Sequence, residues 1–190
     1  MSDSYNNLYG DGGHAAVIRS ILGGTCSCYT DRHPPSNISG KWIVAIGDIE
    51  SRKRIARVLK DKGATFTQCI SKYAIIDGTA VIGRGSVVMA GAVIETSVNI
   101  GNHVIINTGA TVNHHSSIGS FSHVAPGVTI CGNVRIGHET LVGAGTTVIN
   151  DISIGDNCII GAGSVVIRDV PSNSIAYGNP CKIIGKRATL

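Results

Sequence analysis

From Ile76 onward an aliphatic side chain returns at every sixth position: Ile76, Ile82, Val88, Ile94, Ile100, Ile106, Val112, Ile118, Val124, Ile130, Ile136, Val142, Val148, Ile154, Ile160 and Val166. All 16 are Val or Ile, and the residue two before each of the first eight is small or β-branched, from Ala74 to Ser116. Gly follows at positions 83, 101, 119, 137 and 155, each three hexads after the last. A period of six built from strand formers and turn-tolerant residues predicts a parallel β-helix. Each hexad supplies a short strand and a corner, three close a triangular coil, and successive coils pair at about 4.8 Å. Sixteen hexads make just over five coils, with the aliphatics inward and Gly and Asn relaxing the corners. The period leaves the hand of the coil open, although the usual crossover rule points to a right-handed one.

The segment before the repeat carries a different pattern. Short strands around Leu8–Gly10, Cys26–Thr30, Trp42–Ile46 and Thr65–Ile70 alternate with helical stretches Ala15–Leu22 and Ser51–Lys62. Ile55, Val58 and Leu59 recur at helical spacing, so one side of the second helix can cover a parallel sheet. The loop from His33 to Asn37 parts the second strand from the third. The expected organisation is a small α/β domain over residues 1–70, a β-helix over 71–170 and a cap over 171–190.

Composition agrees with a mainly β chain. There are 25 glycines in 190 residues, well above the usual share of about 7%, and 45 Val plus Ile against 5 Leu. Such a balance speaks against a helical bundle. Charged residues make up 15% and aromatic residues 4%, which excludes a disordered chain and disfavours base-stacking surfaces for nucleic acid. The N-terminus lacks the basic and apolar regions of a signal peptide, and no apolar run approaches the ~18 residues of a membrane span. A cytoplasmic protein is therefore expected. No C-x-x-C pair occurs among the six cysteines, and Cys26 and Cys28 read as small buried residues on one strand face. The basic run Arg52, Lys53, Arg54, Arg57, Lys60 and Lys62 reads as a solvated helix face at least as well as an anion site.

Two constellations could carry chemistry. Gly10-Asp11-Gly12-Gly13-His14 lies between the first strand and the first helix, where glycines admit close backbone approach and a helix N-terminus favours a phosphate. It matches a dinucleotide fingerprint only in part, Ala15 taking the final glycine's place. Asp31, after the second strand, stands where an acid can accept hydrogen bonds from a ribose or base. Among the seven histidines, His114 and His115 occupy a corner after Val112, and His123 lies beside inward Val124. Gly132 follows His114 by three hexads and so stacks over it in the next coil. That pairs a potential base with a backbone N–H able to hold an oxyanion. His103 and His138 read as solvent-facing corner residues without a role.

In chain order, Gly10-Asp11-Gly12-Gly13-His14, Ala45-Ile46-Gly47-Asp48, Asn107-Thr108-Gly109-Ala110-Thr111-Val112-Asn113-His114-His115, Phe121-Ser122-His123-Val124-Ala125-Pro126-Gly127 and Tyr177-Gly178-Asn179-Pro180-Cys181-Lys182 resemble the bacterial sialic acid O-acetyltransferase (NeuD-type) family. Within it the likeness is greatest to N-acetyltransferases of nucleotide-linked 4-amino-4,6-dideoxy sugars. The resemblance implies a left-handed β-helix behind a Rossmann-like domain, acetyl-CoA as co-substrate, a homotrimer with intersubunit active sites and no metal. It implies that His114 is the general base, His123 a second active-site histidine and Gly132 the oxyanion amide. Gly10, Gly12, Gly13, His14 and Asp31 would bind the nucleotide sugar, and Gly178, Asn179, Pro180 and Lys182 would lie near coenzyme A with Gly132. Family members often carry an acid directly after the base, where this chain has His115. Zinc carbonic anhydrases share the β-helix, but their histidine pair, with four residues between, has no counterpart here. Sugar O-acetylation and a non-catalytic, ligand-binding solenoid are the alternatives to N-acetylation.

Overall fold

The computed structural model describes residues 6–23, 26–29 and 38–188. The hexads form two-residue strands, each pairing in parallel with the strand one coil further on. Ile82 pairs with Ile100, Ile100 with Ile118, Ile118 with Ile136 and Ile136 with Ile154. Two further columns run from Ile76 to Val166 and from Val88 to Ile160, so three parallel sheets enclose one apolar prism. From Val88 onward every predicted inward residue is at most 3% exposed. Ile76 and Ile82, at the open end, are half-buried but pack on the same core. Burying an aliphatic side chain contributes roughly 1.5–3 kcal/mol, so the column is the main source of the prism's stability.

Pairing starts one hexad before the predicted beginning: Cys69–Ile70 pairs with Val87–Val88. The expected strand Thr65–Ile70 is thus two strands, with Thr65–Phe66 in the N-terminal sheet and Cys69–Ile70 in the prism. At the other end Val170 bridges to Ile154, and Ser174–Tyr177 pairs with the last coil before returning antiparallel as Lys182–Lys186. Hydroxyls just before the strands tie neighbouring coils together. Ser116 Oγ donates to Cys131 O at 2.9 Å and accepts from Val134 N at 3.0 Å.

The Ile-Gly glycines serve a purpose other than corner flexibility. A Cβ on Gly83 would lie 2.4 Å from the Gly101 carbonyl carbon, and one on Gly119 would lie 2.5 Å from that of Gly137. Coil-to-coil approach excludes a side chain there. The left-handed backbone positions fall elsewhere, and one corner column fills them with Ser97, His115, Asn133 and Asp151.

Strands β1 (Asn6–Tyr9), β2 (Cys26–Tyr29), β3 (Lys41–Val44) and β4 (Thr65–Phe66) form a parallel sheet in the order β2-β1-β3-β4. Helix α1 (Gly13–Ile21) joins Leu8, Ile43 and Ala45 in a cluster with the prism's outward Val87 and Met89. Helix α2 (Ile49–Asp61) is capped by Asp48, whose Oδ1 accepts from Ser51 N at 2.9 Å. It covers the other face with Ile55, Ala56 and Leu59 on Trp42 and Val44. Because β2 is an edge strand, Cys28 is exposed and Cys26 half-buried, contrary to the expectation that both are buried.

Candidate active site

After the strand Thr111–Val112 the chain turns through Asn113, His114 and His115, and His115 takes a left-handed φ of 59°. The His114 side chain is exposed. One coil on, a Cβ built on Gly132 would fall 2.4 Å from His114 Cε1 and 2.7 Å from Nε2, so only glycine lets the ring keep this position. Among the described residues the Gly132 N–H has no acceptor, whereas the next amide, Asn133 N, donates to His114 O at 3.0 Å. The His114 backbone N–H donates to Glu95 Oε2 at 3.2 Å. Its ring Nδ1 lies 3.1 Å from His115 Nδ1, with the two rings edge to face. One of these two nitrogens must carry the shared proton. If His114 Nδ1 carries it, Nε2 is left as a proton acceptor on the Gly132 side.

His123 stands on the third sheet, half-buried, with Nε2 3.1 Å from Asn107 Nδ2. An amide nitrogen only donates, so Nε2 is the acceptor and the ring proton is on Nδ1. Burial foremost, then the charge of Arg52 and the neighbouring His14, push His123 down to about 4 against a hydrogen bond with the Gly47 backbone. His14, at the start of α1, is pushed down to about 4 by burial and then by Arg52. Both rings are neutral at pH 7. The buried His14 Nε2 has no hydrogen-bond partner among the described residues. Gly10, four residues earlier in the chain, takes a φ of 130°, and a Cβ there would meet Ala45 O at 2.7 Å. Gly12 and Gly13 open α1 with nothing within 4 Å of where a Cβ would be. Asp31 lies outside the described residues.

Within one chain His114 and His123 stand apart. His114 sits at the corner between two sheets, and His123 lies on the third, the face opposite that corner in a triangular prism. Their spacing along the chain, half of one coil, already contains this separation. The structure therefore brings together His114, His115, Glu95 and Gly132 on one side, and His14, His123, Asn107, Gly47 and Arg52 on the other. Gly178, with a φ of 109°, and Pro180 close the prism's end, where Gly178 N donates to Ser164 Oγ and Cys181 N to Val165 O; Asn179 and Lys182 are exposed.

Two residues depart from their sequence reading. Arg52 is 1% exposed rather than solvated. Its spacing to Ile55, Ala56 and Leu59 is that of a buried helix stripe, a signal hidden by the basic run. His103 is also buried, edge-on to Phe66 and stacked on Phe121. Gly85 lies one coil before it, where a Cβ would fall 2.3 Å from His103 Nδ1, the same glycine-to-histidine stacking as at Gly132. His138 bonds within its column, its Nδ1 accepting from Ser120 N at 3.0 Å. Among the described residues no three metal-ligating side chains converge, and no helix is long and apolar enough to cross a membrane.

Residues 133–168 match the family model described as bacterial transferase hexapeptide (six repeats). A mutant GDP-perosamine N-acetyl transferase from Caulobacter crescentus, solved with CoA and GDP-perosamine, is 31% identical, with a TM-score of 0.89 over 97% of this chain and 99% of that one. The acetyltransferase domain of PglB from Neisseria gonorrhoeae FA1090, solved with acetyl coenzyme A, is 29% identical, with a TM-score of 0.87 over 96% of this chain and 100% of that one. WeeI from Acinetobacter baumannii AYE shares the fold at 22% identity and a TM-score of 0.82, over 95% of this chain and 99% of that one. No curated protein sequence matches significantly. The stacked parallel strands are those of the left-handed β-helix of hexapeptide transferases, and the chain belongs to the bacterial hexapeptide-repeat transferase family.

Proposed function

We propose that this enzyme transfers the acetyl group of acetyl-CoA to the amine of a nucleotide-linked 4-amino-4,6-dideoxy sugar, as an amino-sugar member of the NeuD-type group. The observation that carries this is the stacking of Gly132, its N–H unengaged, against the exposed His114 ring. The sugar amine attacks the thioester carbonyl and His114 Nε2 takes its proton. The Gly132 N–H holds the tetrahedral oxyanion. The C–S bond then breaks, and the coenzyme A thiolate leaves readily because a thiol has a pKa of about 8.5. His115 Nδ1, as acceptor of the His114 Nδ1 proton, stands in for the acid that often follows the base. No step in this sequence calls for a metal.

Residues 1–70 are the Rossmann-like nucleotide-sugar domain in this account, with Gly10, Gly12, Gly13, His14 and Asp31 around the substrate. Residues 71–170 are the catalytic β-helix and 171–190 its cap, and Gly178 to Lys182 lie beside coenzyme A. Exposed Ile149 and Ile167 lie one and two coils beyond Cys131, next to Gly132, an apolar track suited to a pantetheine arm. His114 and His123 occupy opposite sides of one prism, so a site using both needs two copies of the chain. A closed homotrimer supplies that arrangement at every interface. Both co-substrates are cytoplasmic metabolites, so the reaction belongs in that compartment.

Thiol release from acetyl-CoA, measured against a panel of nucleotide-linked 4-amino sugars with GDP-perosamine first, tests the proposal. Turnover with an amine acceptor supports it. Turnover with hydroxyl sugars alone would make the enzyme an O-acetyltransferase, and none with any acceptor would leave a ligand-binding solenoid.

A further inference from the structure

Arg52 is a fully buried cation whose guanidinium, among the described residues, meets no carboxylate. All of its nitrogens donate to backbone carbonyls. Nη1 reaches Ile46 O at 3.0 Å and Gly47 O at 2.7 Å. Nε reaches His103 O at 3.0 Å, and Nη2 reaches Phe121 O at 2.7 Å and Ser122 O at 3.5 Å. These acceptors belong to two separate pieces of the molecule, the turn that follows β3 and the corners of the prism. A planar fork with donors on three nitrogens can span both sets at once, which a lysine ammonium cannot.

The two pieces meet at His123. Ser122 precedes it in the chain, and its ring bonds to the backbone of Gly47. We infer that Arg52 is a positioning residue of the acceptor half-site, fixing the Gly47 turn of the N-terminal sheet against the prism strand that carries His123. The inference rests on the proposed use of the His14–His123 face by the amino-sugar substrate. Displacement of either piece would alter the spacing of His14, Gly47 and His123 while leaving the His114 corner, on the opposite side, undisturbed.

The charge of Arg52 has a second effect. It lowers His14 and His123, after burial, and also His103, which Lys60 lowers further. His14 disfavours protonation of the His123 ring, and Asn107 faces His123 without charge. Asp48 is the acid that acts on Arg52, and it is itself engaged by Ser51 and acted on by Arg187. Arg52 stays charged at neutral pH, since burial lowers it only to about 10.

Arg52→Met and Arg52→Lys in the full chain separate the two effects. With Arg52→Met, KM for the amino-sugar nucleotide rises about tenfold or more while KM for acetyl-CoA stays within about twofold. In histidine-labelled NMR titrations the His14 and His123 midpoints move upward in that variant. Arg52→Lys keeps both midpoints low yet raises the same KM, because charge is retained and the span is lost. If Arg52→Met fails to fold, Arg52→Lys alone carries the kinetic test. Unchanged KM for the amino sugar in folded variants would overturn the inference. If the wild-type chain turns over no amino sugar, the proposed function fails on its own; His14 and His123 ring resonances left at their wild-type chemical shifts in folded Arg52→Lys, where the charge is kept, would then still overturn the positioning role of Arg52.

Discussion

Gly132 stands one coil beyond His114, so close that a Cβ on it would fall 2.4 Å from the imidazole. The ring is exposed and can swing aside, so Gly132→Ala should fold with a nearly unchanged Tm. The displaced ring would no longer face the amide. Loss of one oxyanion donor costs about 100- to 1,000-fold in kcat, and misalignment of base and amide together should reach at least the lower figure. Steady-state kinetics beside a thermal melt checks this; full activity would remove the pair from the mechanism.

The inward columns are sensitive to charge. Ile118 is 2% exposed and Ile136 3% exposed in the centre of one sheet. An unpaired carboxylate there costs several kcal/mol, enough to abolish folding of a domain of ordinary stability. Ile118→Asp or Ile136→Asp with a normal melt by circular dichroism would refute the register.

Mild acid should destabilise the fold through its buried histidines. His14, His103 and His123 are each held at about 4 in the folded chain against an ordinary 6.5. The unfolded chain therefore binds more protons between those values. Their contribution to stability is complete above about pH 6.5 and is lost as pH falls toward 4, by up to about 1.4 kcal/mol per pH unit for each ring. Urea unfolding at pH 7.5, 6 and 5 should give a falling free energy, and a flat profile would mean that these rings are solvated.

Much of this was legible because one period sets several things at once. The three-hexad coil fixes which side chains face inward, and the same spacing stacks Gly132 on His114. What the period does not encode is packing between the N-terminal sheet and the prism. Arg52 reads as one more charge in a basic run because three of its five carbonyl acceptors lie far along the chain, in the prism. His103 reads as a corner residue because Phe66 and Phe121 reach it from other elements. The glycines after the aliphatics were legible as small but not for the right cause, since their backbone is ordinary and their limit is the neighbouring coil.

His115 should matter less than His114, because it acts through the 3.1 Å contact between the two Nδ1 atoms. His115→Ala should lower kcat by about 10- to 100-fold, the size of effect seen when a metal-bound imidazole loses its orienting partner. KM for both substrates should stay near the wild-type values. Wild-type kcat in this variant would mean that the base needs no orienting acceptor.

The central claim, that His114 is the base, is tested most directly by the kcat of His114→Ala at neutral pH with acetyl-CoA and an accepted amino sugar. General-base catalysis is worth about 100- to 10,000-fold, so kcat should fall by that factor while the melt and acetyl-CoA binding stay as in the wild type. A near-normal kcat in His114→Ala, with loss of activity in His115→Ala instead, would contradict the assignment and the stacking of Gly132 as its oxyanion partner.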